Sequence, residues 1–234
     1  MTPLVRLGTT DSTQAFLKRH PEMGFCGVMA LGQTAGRGRG GNTWDSERGA
    51  GLWLSARLPT PDIPSGVVLQ SAMLAVIEVL APCGVSLGLK WPNDLVAWKD
   101  GRLVKLGGII GEQCENSVVL GLGVNVHSAP EIPDRAIPPA SLSSVGAVNI
   151  PDTTDLAVGV LAAWQDLAKG RAPAFRWPGP GYAIRWEDGA GVCRGWESDG
   201  RLAVQTKDGA VLLASGDVCG VVAGSRVLLH PSGG

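Results

Sequence analysis

Four short segments hold residue types that handle anions. The first is Gly36-Arg37-Gly38-Arg39-Gly40-Gly41-Asn42. Glycines let backbone N–H groups turn toward a negative charge, and arginines add forked donors. A nucleotide phosphate is a natural guest. A plain loop and an RGG-type RNA contact are the other readings. The second, Lys90-Trp91-Pro92-Asn93-Asp94, packs a cation, an aromatic, an amide and a carboxylate into one turn. Pro92 disfavours helix at Trp91. Such a turn at a strand end could present Asp94 to Mg²⁺, which takes hard oxygen ligands. A β-turn with a half-buried Trp and solvated charges is the plainer reading. The third, Lys105-Leu106-Gly107-Gly108-Ile109-Ile110, sets a lysine before a glycine pair and an apolar strand. That lysine either meets a substrate carboxylate or phosphate, or stays a surface charge. The fourth, Gly121-Leu122-Gly123-Val124-Asn125, follows an apolar run. Glycine inside a strand marks close approach of a ligand or backbone, or a bulge. It is no Rossmann fingerprint, because no GxGxxG opens a helix there.

The elements that must position these segments are legible in outline. Leu4 to Leu7 reads as a strand, and Asp11 and Gln14 stand at capping-box spacing for a helix ending near His20-Pro21. Phe25 to Leu31 and Gly51 to Leu58 read as strands, with an aperiodic loop from Gln33 to Arg48 between them. Leu69, Met73, Ile77 and Leu80 recur at helical spacing within Ser65 to Ala81. Leu87 to Leu122 alternates apolar runs with turn residues, so it holds several adjacent strands, two of them joined at Lys99-Asp100-Gly101. Residues 128 to 151 are proline-rich and irregular, and Leu156, Val160, Trp164 and Leu167 mark another helix. Proline and glycine crowd from Pro173 to Gly181, which predicts a domain boundary. Beyond it, Ser198-Asp199-Gly200 and Lys207-Asp208-Gly209 sit between β-type runs, as in a small antiparallel barrel. Mixed helices and strands make the main domain α+β.

Bulk composition narrows the function classes. The 234 residues carry 44% hydrophobic and 18% charged side chains, a globular balance. Glycine, at 34 residues, is about twice its usual share of roughly 7%. A net charge of -1 provides no global field toward nucleic acid or anionic lipid, so any anion site must be local. The five cysteines (Cys26, Cys83, Cys114, Cys193, Cys219) are odd in number and lack CxxC spacing. They read as free thiols in a reducing compartment. The N-terminus has no apolar signal region and no run approaches a membrane span, so a cytoplasmic protein without membrane partners is expected.

Taken in order, Ser12-Thr13-Gln14, Gln33 with GRGRGG and Trp44, KWPND, KLGG and GLGVN resemble the catalytic domain of the biotin protein ligases over about residues 4 to 126. KWPND after GRGR is the most specific part. The resemblance implies an α+β, mixed-sheet, class II synthetase-like catalytic domain over residues 1–180 and a small SH3-like all-β domain over 181–234. It implies two half-reactions: biotin and ATP, with Mg²⁺, give biotinyl-5′-AMP, and a lysine of a biotin-carboxyl-carrier-type acceptor domain then takes the biotin. By resemblance, Ser12, Thr13 and Gln33 bond the ureido ring, and the backbone of Gly108 and Gly121 lines its pocket. Gly36, Arg37 and Arg39 form the closing loop. Lys105 is the main electrostatic catalyst beside the carboxylate and α-phosphate. Asp94 places the metal or the incoming lysine, Trp44 packs on the adenine side and Asn125 contacts the nucleotide. Lys90, Asn93 and Gly123 complete the ligand-binding set.

The chain also departs from the family pattern. Gln14 stands where members often have Asn, and Gly40, Gly41 and Asn42 stand where the loop often carries more arginine. The segment from Phe175 to Trp186 is atypical. No DNA-binding helix-turn-helix is expected, so a repressor role is not. Monomer and homodimer both stay open. Two alternatives remain: transfer of lipoate or octanoate on a related fold, and a ligase-like binding module that has lost turnover.

Overall fold

The computed structural model describes residues 2–60, 65–169, 180–181, 183–186, 189–197, 201–213, 217–218, 220–223 and 226–229. Residues 173–179 of the expected boundary, half of the Phe175 to Trp186 segment, the Ser198-Asp199-Gly200 turn and Cys219 lie outside the described residues. The strands β1 (Leu4–Thr10), β2 (Gly27–Gln33), β3 (Gly51–Pro59), β4 (Leu87–Lys90), β5 (Asp94–Lys99), β6 (Arg102–Cys114) and β7 (Ser117–Asn125) precede a smaller set. That set is β8 (Ala183–Trp186), β9 (Gly189–Trp196), β10 (Leu202–Thr206), β11 (Gly209–Leu213), β12 (Asp217–Val218), β13 (Gly220–Ala223) and β14 (Arg226–Leu229). The helices are α1 (Thr13–Arg19), α2 (Ser65–Leu80) and α3 (Thr153–Ala168).

The main sheet is mixed, in the order β1-β2-β3-β7-β6-β5-β4-β13-β14. Only β1 and β2 run parallel; the other described pairs in it are antiparallel. Lys99-Asp100-Gly101 does make the hairpin turn between β5 and β6, with φ of 49° at Asp100 and 74° at Gly101. Side chains alternate across a strand, so each face has its own cover. Leu54, Leu120, Leu122 and Ile109 look toward α2 and α3, where Met73, Val76, Leu80, Val160 and Leu161 complete the main core. Trp164 locks the two helices, its Nε1 donating to the Ala72 carbonyl at 3.0 Å. The opposite face is covered only in part. Leu17 of α1 packs there on Val28, Cys26 and Val119, and the strip of β3, β7, β6 and β5 beyond it stays open to a cavity.

One expectation needs correction. The helix α1 is capped by Ser12, whose Oγ accepts from the Ala15 N–H; Asp11 instead binds Arg19 through both carboxylate oxygens at 2.8 and 2.6 Å. Gln14 therefore caps nothing. Its amide donates to the Val119 carbonyl across the sheet at 3.2 Å. The terminal β segment supplies the small antiparallel sheet that the fold reading expects. Strands β8 to β12 form a five-stranded antiparallel sheet in the order β11-β10-β9-β8-β12, whereas β13 pairs with β4 and extends the main sheet. Trp91, just after β4, is buried with Ile184, Cys193, Leu202 and Val204 of the small sheet. Among the described residues, no helix is long and apolar enough to cross a membrane.

Burial raises the thiol pKa of Cys26, Cys83 and Cys193, which keeps them protonated and unreactive. A thiol reagent at neutral pH is expected to leave these three unmodified in the native protein and to modify all three after denaturation; native labelling of any of them, mapped by mass spectrometry, contradicts this packing.

Candidate active site

A cavity of about 570 Å³ opens on the partly covered face. Its floor is a strip of the sheet almost without side chains. Gly121 faces Ile110 and Ser55 across the ladder, and Gly123 faces Gly108. At one end stand Ser12, Thr13 and Gln14 at the start of α1; at the other stand Lys90 to Asp94 and Lys105. Arg37, Gly38 and Arg39 form one wall. The sequence segments that were separately ambiguous thus meet in one place.

Lys105 reaches this cavity because β6 is bulged. The register with β5 shifts between Leu95 and Val96: Leu95 faces Gly107, whereas Val96 faces Lys105. An extra residue in one strand reverses the alternation of side chains beyond it. Leu106 stays in the core, while Lys105 and Gly108, three residues apart, look into the same space. A Cβ placed on Gly108 would stand 3.8 Å from Lys105 Cε and 3.6 Å from Asp94 Oδ1. The Lys105 ammonium lies 2.6 Å from Asp94 Oδ1 and 5.6 Å from the centre of the Trp44 ring. Both side chains of the ion pair are mostly covered, 30% and 20% exposed. The charge is therefore less screened than at an open surface.

The end near α1 is held by a hydrogen-bonded clamp. Gln33 Oε1 accepts from Thr13 N and Oγ1 at 2.8 and 3.2 Å, and its Nε2 donates to Ser46 Oγ at 2.7 Å. Thr13 Oγ1 also meets Ser55 Oγ at 2.8 Å. This fixes the base of the 33–46 excursion, which closes as a narrow antiparallel ladder through Gln33 to Ser46 and Arg37 to Thr43. Asn93 is likewise tied down, its Nδ2 donating to the Ile109 carbonyl while its own carbonyl accepts from Ile109 N, each at 3.0 Å. Buried polar atoms nearly always have a partner. Yet three cavity residues each bury one without any: Gln14 Oε1, Trp44 Nε1 and Asn125 Oδ1.

Of the residues expected at the site, Ser12, Thr13, Gln33, Arg37, Arg39, Trp44, Lys90, Asn93, Asp94, Lys105, Gly108, Gly121, Gly123 and Asn125 all line the cavity. Gly36 does not line it. It sits behind the wall, where a Cβ would come within 2.3 Å of the Trp44 carbonyl oxygen and 2.8 Å of Ser46 Oγ. Its job is to let the chain pass close behind Trp44. Gly123 does the matching service in front, since a Cβ there would meet Trp44 Nε1 at 2.4 Å. Sequence reasoning missed Gln14 as a lining residue, and also Ser55, Asp45 and the 130–139 loop with Arg135. Ser55 carried one weak signal, a lone hydroxyl inside an apolar strand. Arg135 carried none, because its loop has no period. Among the described residues no three acids, histidines or cysteines gather into a metal cage.

Residues 8–127 match a family model described as the biotin/lipoate A/B protein ligase family. The chain is 34% identical to a biotin--[acetyl-CoA-carboxylase] ligase of Mycobacterium tuberculosis, over 89% of this chain and 85% of that one. It is also 34% identical to the enzyme of that name from Paracoccus denitrificans, over 68% of this chain and 71% of that one. Among solved structures, a biotin protein ligase from Aquifex aeolicus in complex with biotin and ATP superposes with a TM-score of 0.68 at 23% identity, covering 95% of this chain and 100% of that one. That likeness is one of fold.

The two glycines around Trp44 separate a backbone clash from a side-chain clash. Gly36→Ala must push aside a carbonyl, so it is expected to lose about 1–3 kcal/mol of stability. Gly123→Ala meets a side-chain ring instead of backbone and is expected to lose less. Thermal unfolding of the two variants checks this, and equal losses contradict it.

Proposed function

The chain belongs to the biotin/lipoate A/B protein ligase family, and we propose the following division of labour for its site. The protein is a biotin protein ligase: it forms biotinyl-5′-AMP from biotin and ATP and passes the biotin to a lysine of a carboxylase carrier domain. The observation that carries the assignment of roles is the placement of the Lys105 ammonium in one cavity with Arg37 and Arg39. Two anions must meet there, and they repel each other until fixed cations offset the charge.

In the first half-reaction a biotin carboxylate oxygen attacks the α-phosphorus, and the bond to the β-phosphate bridging oxygen breaks. Lys105 bonds an oxygen at the junction and stabilises the charge that grows there. Asp94 and the Trp44 ring hold the ammonium aimed before substrate arrives, so little reorganisation is needed in the transition state. Ser12, Thr13, Gln33 and Ser55 take the ureido end, and Trp44, Gly123 and Asn125 face the adenine. Arg37 and Arg39 close over the adenylate and keep water from the anhydride. In the second half-reaction the acceptor amine attacks the acyl carbon and AMP leaves. The Asp94 carboxylate attracts the incoming lysine ammonium and takes the proton that it loses before the amine attacks.

Mg²⁺ fits as an ion carried by the triphosphate. Such an ion commonly asks one or two carboxylates of the protein, and Asp94 and Asp45 both line the cavity. The ion would supply further neutralisation of the phosphates. The free thiols fit a reducing cytoplasm.

The test is incubation with ATP, Mg²⁺ and biotin, following pyrophosphate release and biotinyl-5′-AMP. Both are expected, and Lys105→Ala is expected to slow adenylation about 10²–10³-fold. Release with lipoate but not biotin, or binding without release, contradicts the assignment.

A further inference from the structure

We propose that Trp196 is a positioning residue for adenylation, acting through Trp91 on the Lys90 ammonium; the inference rests on the adenylation reading above. The turn at residues 91–93 joins β4 to β5, and the ladder beside it ends at Lys90 opposite Asp94. Lys90, Trp91 and Asp94 all line the cavity. The two ends of this turn are held by different parts of the chain. Asp94 pairs with Gly108 of β6, and Asn93 is bonded to Ile109 through both its amide and its carbonyl. Trp91, beside Lys90, is held from the terminal segment. It is 2% exposed and belongs with Ile184, Cys193, Leu202 and Val204 to the core of the small sheet, not to the main core. On the side of β4 away from β5 the neighbouring strand is β13, with Leu89 opposite Val222. The Lys90 end of the turn thus rests in part on residues that come after 180 in the chain.

Trp196 closes the packing around Trp91. It ends β9, opposite Leu202 of the same small core, and its ring meets that of Trp91 edge to face, with centroids 6.3 Å apart and planes at 73°. Aromatic pairs favour that arrangement, and it is directional. Trp196 is half-buried and stands outside the cavity, so any effect on a ligand there passes through Trp91. Close-packed side chains transmit a displacement instead of absorbing it. Trp91 and Lys90 are adjacent, so a tilt of the indole moves the backbone that carries the ammonium. At this end of the cavity part of the charge of Lys105 is already offset by Asp94. Lys90 meets the triphosphate there as a second ammonium, and a fixed charge acts only if it is placed to within about 1 Å. The clamp of Thr13, Gln33 and Ser55 lies at the other end, on α1, β2 and β3, outside the Trp91 cluster.

ATP and biotin then respond differently, and that difference is the test. Full-length wild type, Trp196→Ala, Trp196→Leu, Trp196→Phe, Lys90→Ala and the Lys90→Ala, Trp196→Ala double variant are compared in biotin-dependent ATP–pyrophosphate exchange, with biotin affinity measured by calorimetry. Trp196→Ala is expected to raise the KM for ATP about tenfold and to leave the Kd for biotin within about twofold. Trp196→Phe keeps an aromatic edge and is expected to stay near wild type. Trp196→Leu is expected to fall between, and it carries the comparison should the alanine variant not fold. In the Lys90→Ala background, Trp196→Ala is expected to change the KM for ATP by less than about twofold. An unchanged KM in Trp196→Ala overturns the proposal. So does a biotin Kd that rises in step, which marks general damage, and so does an undiminished effect without Lys90, which means that Trp196 acts by another route. A wild type without exchange sinks the adenylation reading itself and the role of Trp196 with it.

Discussion

A lysine ammonium held partly out of water is the constraint on which the site depends. Removing a cation from water is unfavourable unless something offsets its charge. Asp94 at 2.6 Å and the face of Trp44 do so for Lys105. Each partner is fixed in turn by its own segment. Asp94 opens β5 opposite Gly108, and Trp44 is wedged between the glycines at 36 and 123. The bulge in β6 then turns the lysine off the core-facing row and into the cavity. A strand in perfect alternation would place residues 105 and 108 on opposite faces, and the cation and the glycine floor would part company.

The cavity itself is made by what the sheet omits. One face of β3, β7 and β6 carries Leu54, Leu120, Leu122 and Ile109 and builds the core with α2 and α3. The other face carries Gly108, Gly121 and Gly123 over the same stretch, leaving about 570 Å³ open above a continuous β6–β7 ladder. Gln14, Trp44 and Asn125, which line that space, each bury one polar atom without a partner. Such atoms reduce stability on their own.

The parts of this arrangement that were readable from sequence are those with a local signal. Helical spacing located α2 and α3, turn chemistry located Lys99-Asp100-Gly101, and the glycine pattern marked the floor. The rest depended on tertiary contacts. Gln14 and Ser12 are both polar residues near a helix start, and only the packed sheet decides that Ser12 caps while Gln14 reaches Val119. The bulge follows from pairing between β5 and β6 and leaves no pattern along either strand alone. Gly36 carries the same chemistry on paper as Gly38, yet it faces the back of Trp44. Arg135 stands in an aperiodic connection, and the hairpin of β13 and β14 reads like the strands before it although it joins a different sheet.

The most direct measurement is a crystal structure of the protein with a non-hydrolysable biotinyl-5′-AMP analogue bound. The account predicts the Lys105 ammonium within about 3 Å of an oxygen at the acyl–phosphate junction, reached from the bulged strand, with the 36–39 turn folded over the ligand. An ammonium still bound to Asp94 alone, with the analogue seated out of its reach, would contradict it.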